Sequence, residues 1–329
     1  VTDIAVLIAD PATVADPYPA YDLMRQIDPV LWATDMNRWL VTGHAEAVTV
    51  LSHDQVSTNR SLASDSVPWV DDGVQPRGMP FLDPPDHTRL RGLVQRAFTV
   101  RGVQWLRPRI ETLVDDMLDA AAERGEMDLV KDFAGPMPAI ALGYLLGIPA
   151  EDQDRFRRWV TTVIETLDPV TLRLVSEEGK AERAILKDYF TQLIELRRSK
   201  PEDDLISAMV QAEDAGEQLT ADEILEMCVV LTMAGLEAAT SLIANGTCAL
   251  LDHPDQLDRL RGNPGLIKTA VEELLRFDAP VQVAGRIAIA DLEIGGHTVR
   301  KGQTIGVMLG GANRDPRAFA NPNQLDLTR

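Results

Sequence analysis

Four short constellations in this 329-residue sequence hold residue types that can do chemistry. In Asp83-Pro84-Pro85-Asp86-His87-Thr88-Arg89-Leu90-Arg91, His87 and Arg91 stand four residues apart and share one helical face. An imidazole beside a guanidinium suits a carboxylate-bearing ligand, because charge-assisted hydrogen bonds are the strong ones. A solvated basic face is the plainer alternative for a single such pair. In Ala234-Gly235-Leu236-Glu237-Ala238-Ala239-Thr240, the glycine costs about 1 kcal/mol relative to alanine inside a helix. The acid also interrupts an apolar stretch. Local inconsistencies of this kind gather at functional sites, and a glycine beside an acid lets a flat ligand lie against the helix. The alternative is a packing glycine and a solvent-facing acid. Glu273 and Arg276 stand at i and i+3, at the edge of an apolar stripe; alone they are a common helical ion pair of small worth. The run Ala312-Asn313-Arg314-Asp315-Pro316 opens a stretch of turn residues that reaches Arg329.

These residues need elements to hold them, and most of the chain reads as helix. A short helix follows Asp16-Pro17, from Tyr18 to Ile27. Leu31 to Thr42 is strand-like, and His44 to Leu51 is helical. Ser57 to Pro80, rich in Gly, Pro and Asp, reads as a long loop. Pro84 and Pro85 suit a first helical turn, and helical patterns then cover His87–Phe98, Trp105–Arg124, Val130–Leu146, Glu151–Thr166, Ser176–Arg198 and Leu205–Ala215. The longest helix begins at Thr220-Ala-Asp-Glu223, a capping box, and runs to about Leu251. Its length and apolarity suit a helix crossing the centre of a domain. Another opens at Asn263-Pro264. After Pro280 the period becomes two, with Gly295-Gly296 and Lys301-Gly302 as turns. The fold class is mainly α with a small β-meander, not an alternating βαβ chain.

Composition narrows the function. Thirty-two basic against 51 acidic side chains give a net charge of −19. That argues against nucleic acid and anionic lipid as partners, since both need a basic surface. The start Val1-Thr2-Asp3-Ile4 lacks a leader pattern. The most apolar stretch, Cys228 to Leu236, falls short of the roughly 18 residues of a membrane span, so a soluble, cytoplasmic protein is expected. Two cysteines exclude a disulfide scaffold and a four-cysteine zinc site. Cys228 and Cys248 both lie on the long helix and read as buried small hydrophobes.

Taken together, the order and spacing of Asp-Pro-Pro-x-His-Thr-Arg-x-Arg, Ala-Gly-x-Glu, Glu-x-x-Arg and Ala-Asn-Arg-Asp-Pro resemble the cytochrome P-450 family, in its soluble bacterial class. The resemblance runs from Asp16 to Arg329. It implies one cytochrome P-450-like domain over residues 1–329. That domain is C-terminally truncated, because the Phe-x-x-Gly-x-x-x-Cys-x-Gly segment and the helix after it are absent. The thiolate ligand is expected downstream of Arg329, so no metal ligand is assigned within the chain. The cofactor implied is haem b (iron protoporphyrin IX), with His87, Arg91 and Arg286 where the family holds the propionates. Glu273, Arg276 and Arg329 fall on the family's buried structural network. Ala234, Gly235, Glu237 and Ala238 fall where the central helix passes over the distal face of the haem. There the acid relays protons, and the next position, usually threonine, is Ala238.

The activity implied is a haem-thiolate monooxygenase that hydroxylates a small organic substrate with O₂. Its electrons come from NAD(P)H through ferredoxin reductase and ferredoxin. Ala238 points toward a hydroxyl-bearing natural product such as a polyketide, whose hydroxyl or an ordered water completes the proton relay. A monomer is expected, with Ser57–Pro80 and Leu167–Ser176 bordering the substrate pocket. Arg89 and Arg96 are candidate docking cations for an acidic redox partner. The other reading is a haem-less homologue that activates or binds another enzyme.

Overall fold

A computed structural model describes residues 4–64, 78–97, 104–165, 177–214 and 219–329. Most of the proposed loop Ser57–Pro80 and all of Leu167–Ser176 lie outside the described residues. The chain divides into two compact units, residues 76–244 and residues 1–75 with 245–329.

The unit of residues 76–244 is helical. Its elements are α5 (Asp86–Ala97), α6 (Leu106–Arg124), α7 (Pro136–Leu146), α8 (Gln153–Glu165), α9 (Glu177–Ser199), α10 (Leu205–Asp214) and most of α11 (Ala221–Asp252). Leu186, Phe190, Leu193 and Ile194 recur at helical spacing on α9. They pack with Phe156, Leu146, Ile206, Ile224 and Met227 in one core. Arg197 ends that stripe and is buried, donating to Asp204 and, at 2.7 Å, to the carbonyl of Gly147. Gly147 closes α7 at φ +74°, where a Cβ would meet the Asp204 carboxylate. Only glycine serves there.

Two boundaries differ from the sequence expectation. Val130–Leu146 is not one helix: residues 129–134 form a π-helical turn and α7 starts at Pro136. Pro84 and Pro85 precede α5 and do not form its first turn.

α11 starts as its capping box requires. The Thr220 hydroxyl accepts from the Glu223 amide (3.2 Å), and the Glu223 carboxylate accepts from the Thr220 amide (2.9 Å). The helix is 32 residues long, and its most apolar window is only 28 % buried. Contrary to the sequence estimate, it is long and apolar enough to cross a membrane, a test that core helices of soluble proteins also pass.

The other unit begins with α1 (Ile4–Ala9), α2 (Pro11–Ala15), α3 (Tyr18–Ile27) and α4 (His44–Ser52). It resumes with the end of α11, then α12 (Pro254–Gly262), α13 (Ile267–Phe277) and α14 (Leu309–Ala312). Its strands are β1 (Val30–Ala33), β2 (Arg38–Val41), β3 (Val56–Ser57), β4 (Val283–Ala288), β5 (Leu292–Ile294), β6 (His297–Val299) and β7 (Thr304–Met308). The larger sheet has the order β1-β2-β7-β4-β3, so the C-terminal strands take in three from the N-terminal region. β7 lies between a parallel β2 and an antiparallel β4, and every residue of it is buried. β5 and β6 form a separate hairpin, turned by Gly295 and Gly296 at positive φ.

Candidate functional site

The charged network on α13 is the best-defined feature. Glu273 and Arg276 are both buried and meet through two hydrogen bonds, of 2.7 and 2.8 Å. Arg276 also donates to the carbonyls of Asn313 and Pro322, each at 2.9 Å. Arg329 reaches Glu273 at 3.2 Å, and the Asp326 amide reaches it at 3.0 Å. Burial alone would push the Glu273 carboxyl up. The hydrogen bonds from Arg276, Asp326 and Arg329 outweigh burial and hold it below the ordinary carboxylate range. The structure therefore brings Glu273, Arg276 and Arg329 together. The carbonyls they bind tie residues 313–329 to α13. No sequence signal names those carbonyls, since any backbone supplies them.

Next in the same run, Asp315 is buried and accepts from the Arg317 side chain and from the His44 amide at 2.8 Å. Burial would raise its pKa, but these donors lower it to about 2. Asp315 thus joins residues 312–317 to the first turn of α4, an anchoring role that sequence reading missed. Arg286 lies on β4, paired in register with Ile305.

On α5, His87 is half-buried and Arg91 exposed, and neither has a side-chain partner among the described residues. Arg89 is different: Glu223, the capping-box acid of α11, and Asp86 both hold it. That ion pair removes Arg89 as a free docking cation, and the Arg96 side chain lies outside the described residues. On α11, Leu236 is buried while Ala234, Gly235 and Glu237 around it are exposed and Ala238 is half-buried. A Cβ on Gly235 would meet only the methyls of Leu142, at 3.7 and 3.8 Å. That is ordinary contact, so protein packing does not require glycine here. The hydroxyl of Thr240, on the next turn, is buried without a partner among the described residues, whereas Thr232 bonds the Cys228 carbonyl at 2.7 Å.

The thiols divide. Cys228 is fully buried, and burial pushes its thiol far above the ordinary range, as expected of an inert core residue. Cys248 is exposed, which corrects the expectation that both are buried. Among the described residues no group of three or more His, Cys, Asp or Glu could hold a metal ion.

Arg329 is exposed, unlike Glu273 and Arg276, which corrects the expectation that all three are buried. A helical protein with a small mixed sheet, a buried Glu-Arg pair joined by an exposed Arg, and an exposed Ala-Gly-x-Glu stretch on its longest helix is a specific class of molecule. The Cytochrome P450 family model matches residues 29–263 and 265–329, and the chain belongs to that family. It is 35 % identical over 329 residues to the biotin biosynthesis cytochrome P450 of Bacillus subtilis, covering 99 % of this chain and 83 % of that protein. It is 37 % identical over 327 residues to 6-deoxyerythronolide B hydroxylase of Saccharopolyspora erythraea, with 95 % and 80 % covered. Among solved structures, P450BioI bound to an acyl carrier protein ligated to hexadec-9Z-enoic acid superposes with a TM-score of 0.87. It is 34 % identical, with 97 % of this chain and 84 % of that one covered. The fold is thus the mainly helical cytochrome P-450 fold, and the family is one of haem monooxygenases.

The residues present fit a haem. Among the described residues His87 and Arg91 have no side-chain partner, as is expected of carboxylate-binding groups. Gly235 leaves backbone accessible to a flat ring system. Neither thiol is placed as an iron ligand in the manner of the family: Cys228 is sealed in the helical core, and Cys248 sits on α11 itself.

Proposed function

We propose that the protein is a haem-thiolate monooxygenase that hydroxylates a small hydroxyl-bearing natural product, with electrons delivered by a ferredoxin-type partner. One observation carries the assignment: Ala234, Gly235 and Glu237 are exposed in the middle of an apolar helix whose adjacent Leu236 is buried. An apolar helix leaves such a stretch uncovered where a ligand is to cover it. Haem, when bound, supplies O₂ binding and its reductive activation. The protein supplies placement and proton control. His87 and Arg91 would hold a carboxylate of the cofactor. Gly235 would let its flat face approach the helix. The exposed Glu237 carboxylate would pass protons inward from solvent. The thiolate is proposed to come from beyond Arg329.

Ala238 offers no hydroxyl to continue the relay, so a substrate hydroxyl or a water held beside Glu237 takes that place. The relative that hydroxylates 6-deoxyerythronolide B supports a polyketide-like substrate class. A pyridine haemochrome assay and the spectrum of the reduced CO complex, on the chain carrying its native downstream segment, test the assignment. One haem per chain and a thiolate-type Soret band are expected; failure to take up haem would sink it and favour the activator reading. Ala238→Thr tests the relay. Coupling of NAD(P)H use to product should fall or stay level with a hydroxylated substrate and rise with a deoxygenated analogue. Better coupling with both would count against substrate assistance.

A further inference from the structure

Hydroxyls inside helices ordinarily donate to the carbonyl four residues back. Thr49, Thr112, Thr191 and Thr232 do so here, at 2.9, 3.0, 2.9 and 2.7 Å. Ser241 on α11 does not. It is half-buried, and its hydroxyl has no partner among the described residues. The carbonyl it passes over, four residues back, is that of Glu237. Ser241 therefore keeps a free donor and acceptor one turn beyond the acid of the Ala-Gly-x-Glu stretch.

Helical phase sets where that hydroxyl lies. Ser241 follows Glu237 by four residues and Ala238 by three, so it falls between the two in phase, one turn on. Side chains on a helix lean toward its N-terminus, which directs Ser241 back over the turn that carries Glu237 and Ala238. The methyl of Ala238 leaves room there that a larger side chain would fill. Thr240 is the other free hydroxyl nearby, but it follows buried Leu236 by four residues and shares its face. Its hydroxyl is sealed, about 200° round the helix from Ala238. A water beside Ala238 would find the Ser241 hydroxyl, the Glu237 carboxylate and the second lone pair of the Glu237 carbonyl. Three partners are what an ordered internal water ordinarily has.

Resting on the monooxygenase reading above, we infer that Ser241 is a positioning residue: its hydroxyl holds, beside Ala238, the water that carries protons onward from Glu237. The O–H bond of the Glu237 carboxyl breaks as its proton joins the water, and the water releases one of its own hydrogens inward. Solvent then reprotonates Glu237, while Ser241 keeps its own hydrogen and only orients the water. Ser241→Ala, alone and combined with Ala238→Thr, tests this in the haem-loaded chain carrying its native downstream segment. The infrared C–O stretch of the reduced CO complex senses hydrogen-bond donors beside the ligand, and it should shift in Ser241→Ala. With a deoxygenated substrate analogue, which offers no hydroxyl of its own, product formed per NAD(P)H should fall severalfold. Ala238→Thr returns a hydroxyl to that turn, so adding Ser241→Ala to it should change coupling no further. In the haem-free protein the urea midpoint of Ser241→Ala should stay level or rise, since alanine is the better helix former. A stretch and a coupling both indifferent to Ser241→Ala overturn the inference. So does an equal loss of coupling in both backgrounds, or a lowered urea midpoint, either of which marks a structural hydroxyl. The haemochrome assay keeps the two readings apart. A chain that takes up no haem loses the monooxygenase reading and this inference with it, whereas a loaded chain indifferent to Ser241→Ala loses the inference alone.

Discussion

Replacing Gly235 by alanine should move stability and ligand affinity in opposite directions. A glycine inside a helix costs about 1 kcal/mol relative to alanine. The structure shows what the added methyl would meet: two methyls of Leu142 at 3.7 and 3.8 Å, and nothing closer. No overpacking penalty offsets the gain in helix propensity. Gly235→Ala in the haem-free protein should therefore raise unfolding free energy by up to about 1 kcal/mol, read in urea at constant m. The same methyl projects from an exposed position into the space assigned to a flat ligand. Crowding there should cost about 1–3 kcal/mol, or roughly a tenfold or greater loss of affinity for haem or for an iron-binding azole. The two effects are separable, because urea unfolding reads the first and spectral titration the second. A destabilised haem-free variant would mean that the glycine serves packing after all. A stabilised variant with unchanged haem and azole affinity would mean that nothing approaches α11 at this point.

Further expectations concern the network and the caps. Glu273→Gln leaves Arg276 buried without its counter-charge and should cost about 3–5 kcal/mol; chemical denaturation measures it, and adding Arg276→Met should recover part of the loss. The Asp315 carboxyl is held at about 2 in the folded protein against an ordinary value of 3.8. A depressed pKa contributes stability that is complete above the unfolded value and lost as pH falls toward the folded one. It should be worth about 2 kcal/mol, lost between roughly pH 4 and pH 2, in a stability titration that Asp315→Asn flattens. Thr220→Ala removes the hydroxyl that accepts from the Glu223 amide and should cost about 1 kcal/mol, seen as a lower urea midpoint.

What the sequence revealed follows how local each signal is. The helix from Tyr18 to Ile27 and the cap at Thr220 depend on a few neighbouring residues, and the structure shows both where expected. Glu273 and Arg276 announce themselves by spacing, and Arg329 by its place in the motif order. Their remaining partners are main-chain carbonyls, which carry no side-chain signature. Pairing between β2 and β7 joins residues 38–41 to 304–307, and a run of period-two residues does not say which distant strand will lie beside it. The same holds for Arg89, whose partner Glu223 is 134 positions away. A basic residue on a helix face looks free until the fold brings an acid to it.

The cysteines show that one missed feature was recoverable. Cys228 and Cys248 are twenty residues apart on a single helix. At 100° per residue that is about 200° of rotation, so the two point to nearly opposite sides. Cys228 packs in the helical core and Cys248 is exposed, as opposite sides of one helix allow. The same phase argument places Ala234 on the side of Met227, which packs in the helical core. Helical phase along α11 therefore relates three features that composition alone leaves unconnected: an inert core thiol, an exposed thiol, and a face that passes from buried Met227 to exposed Ala234.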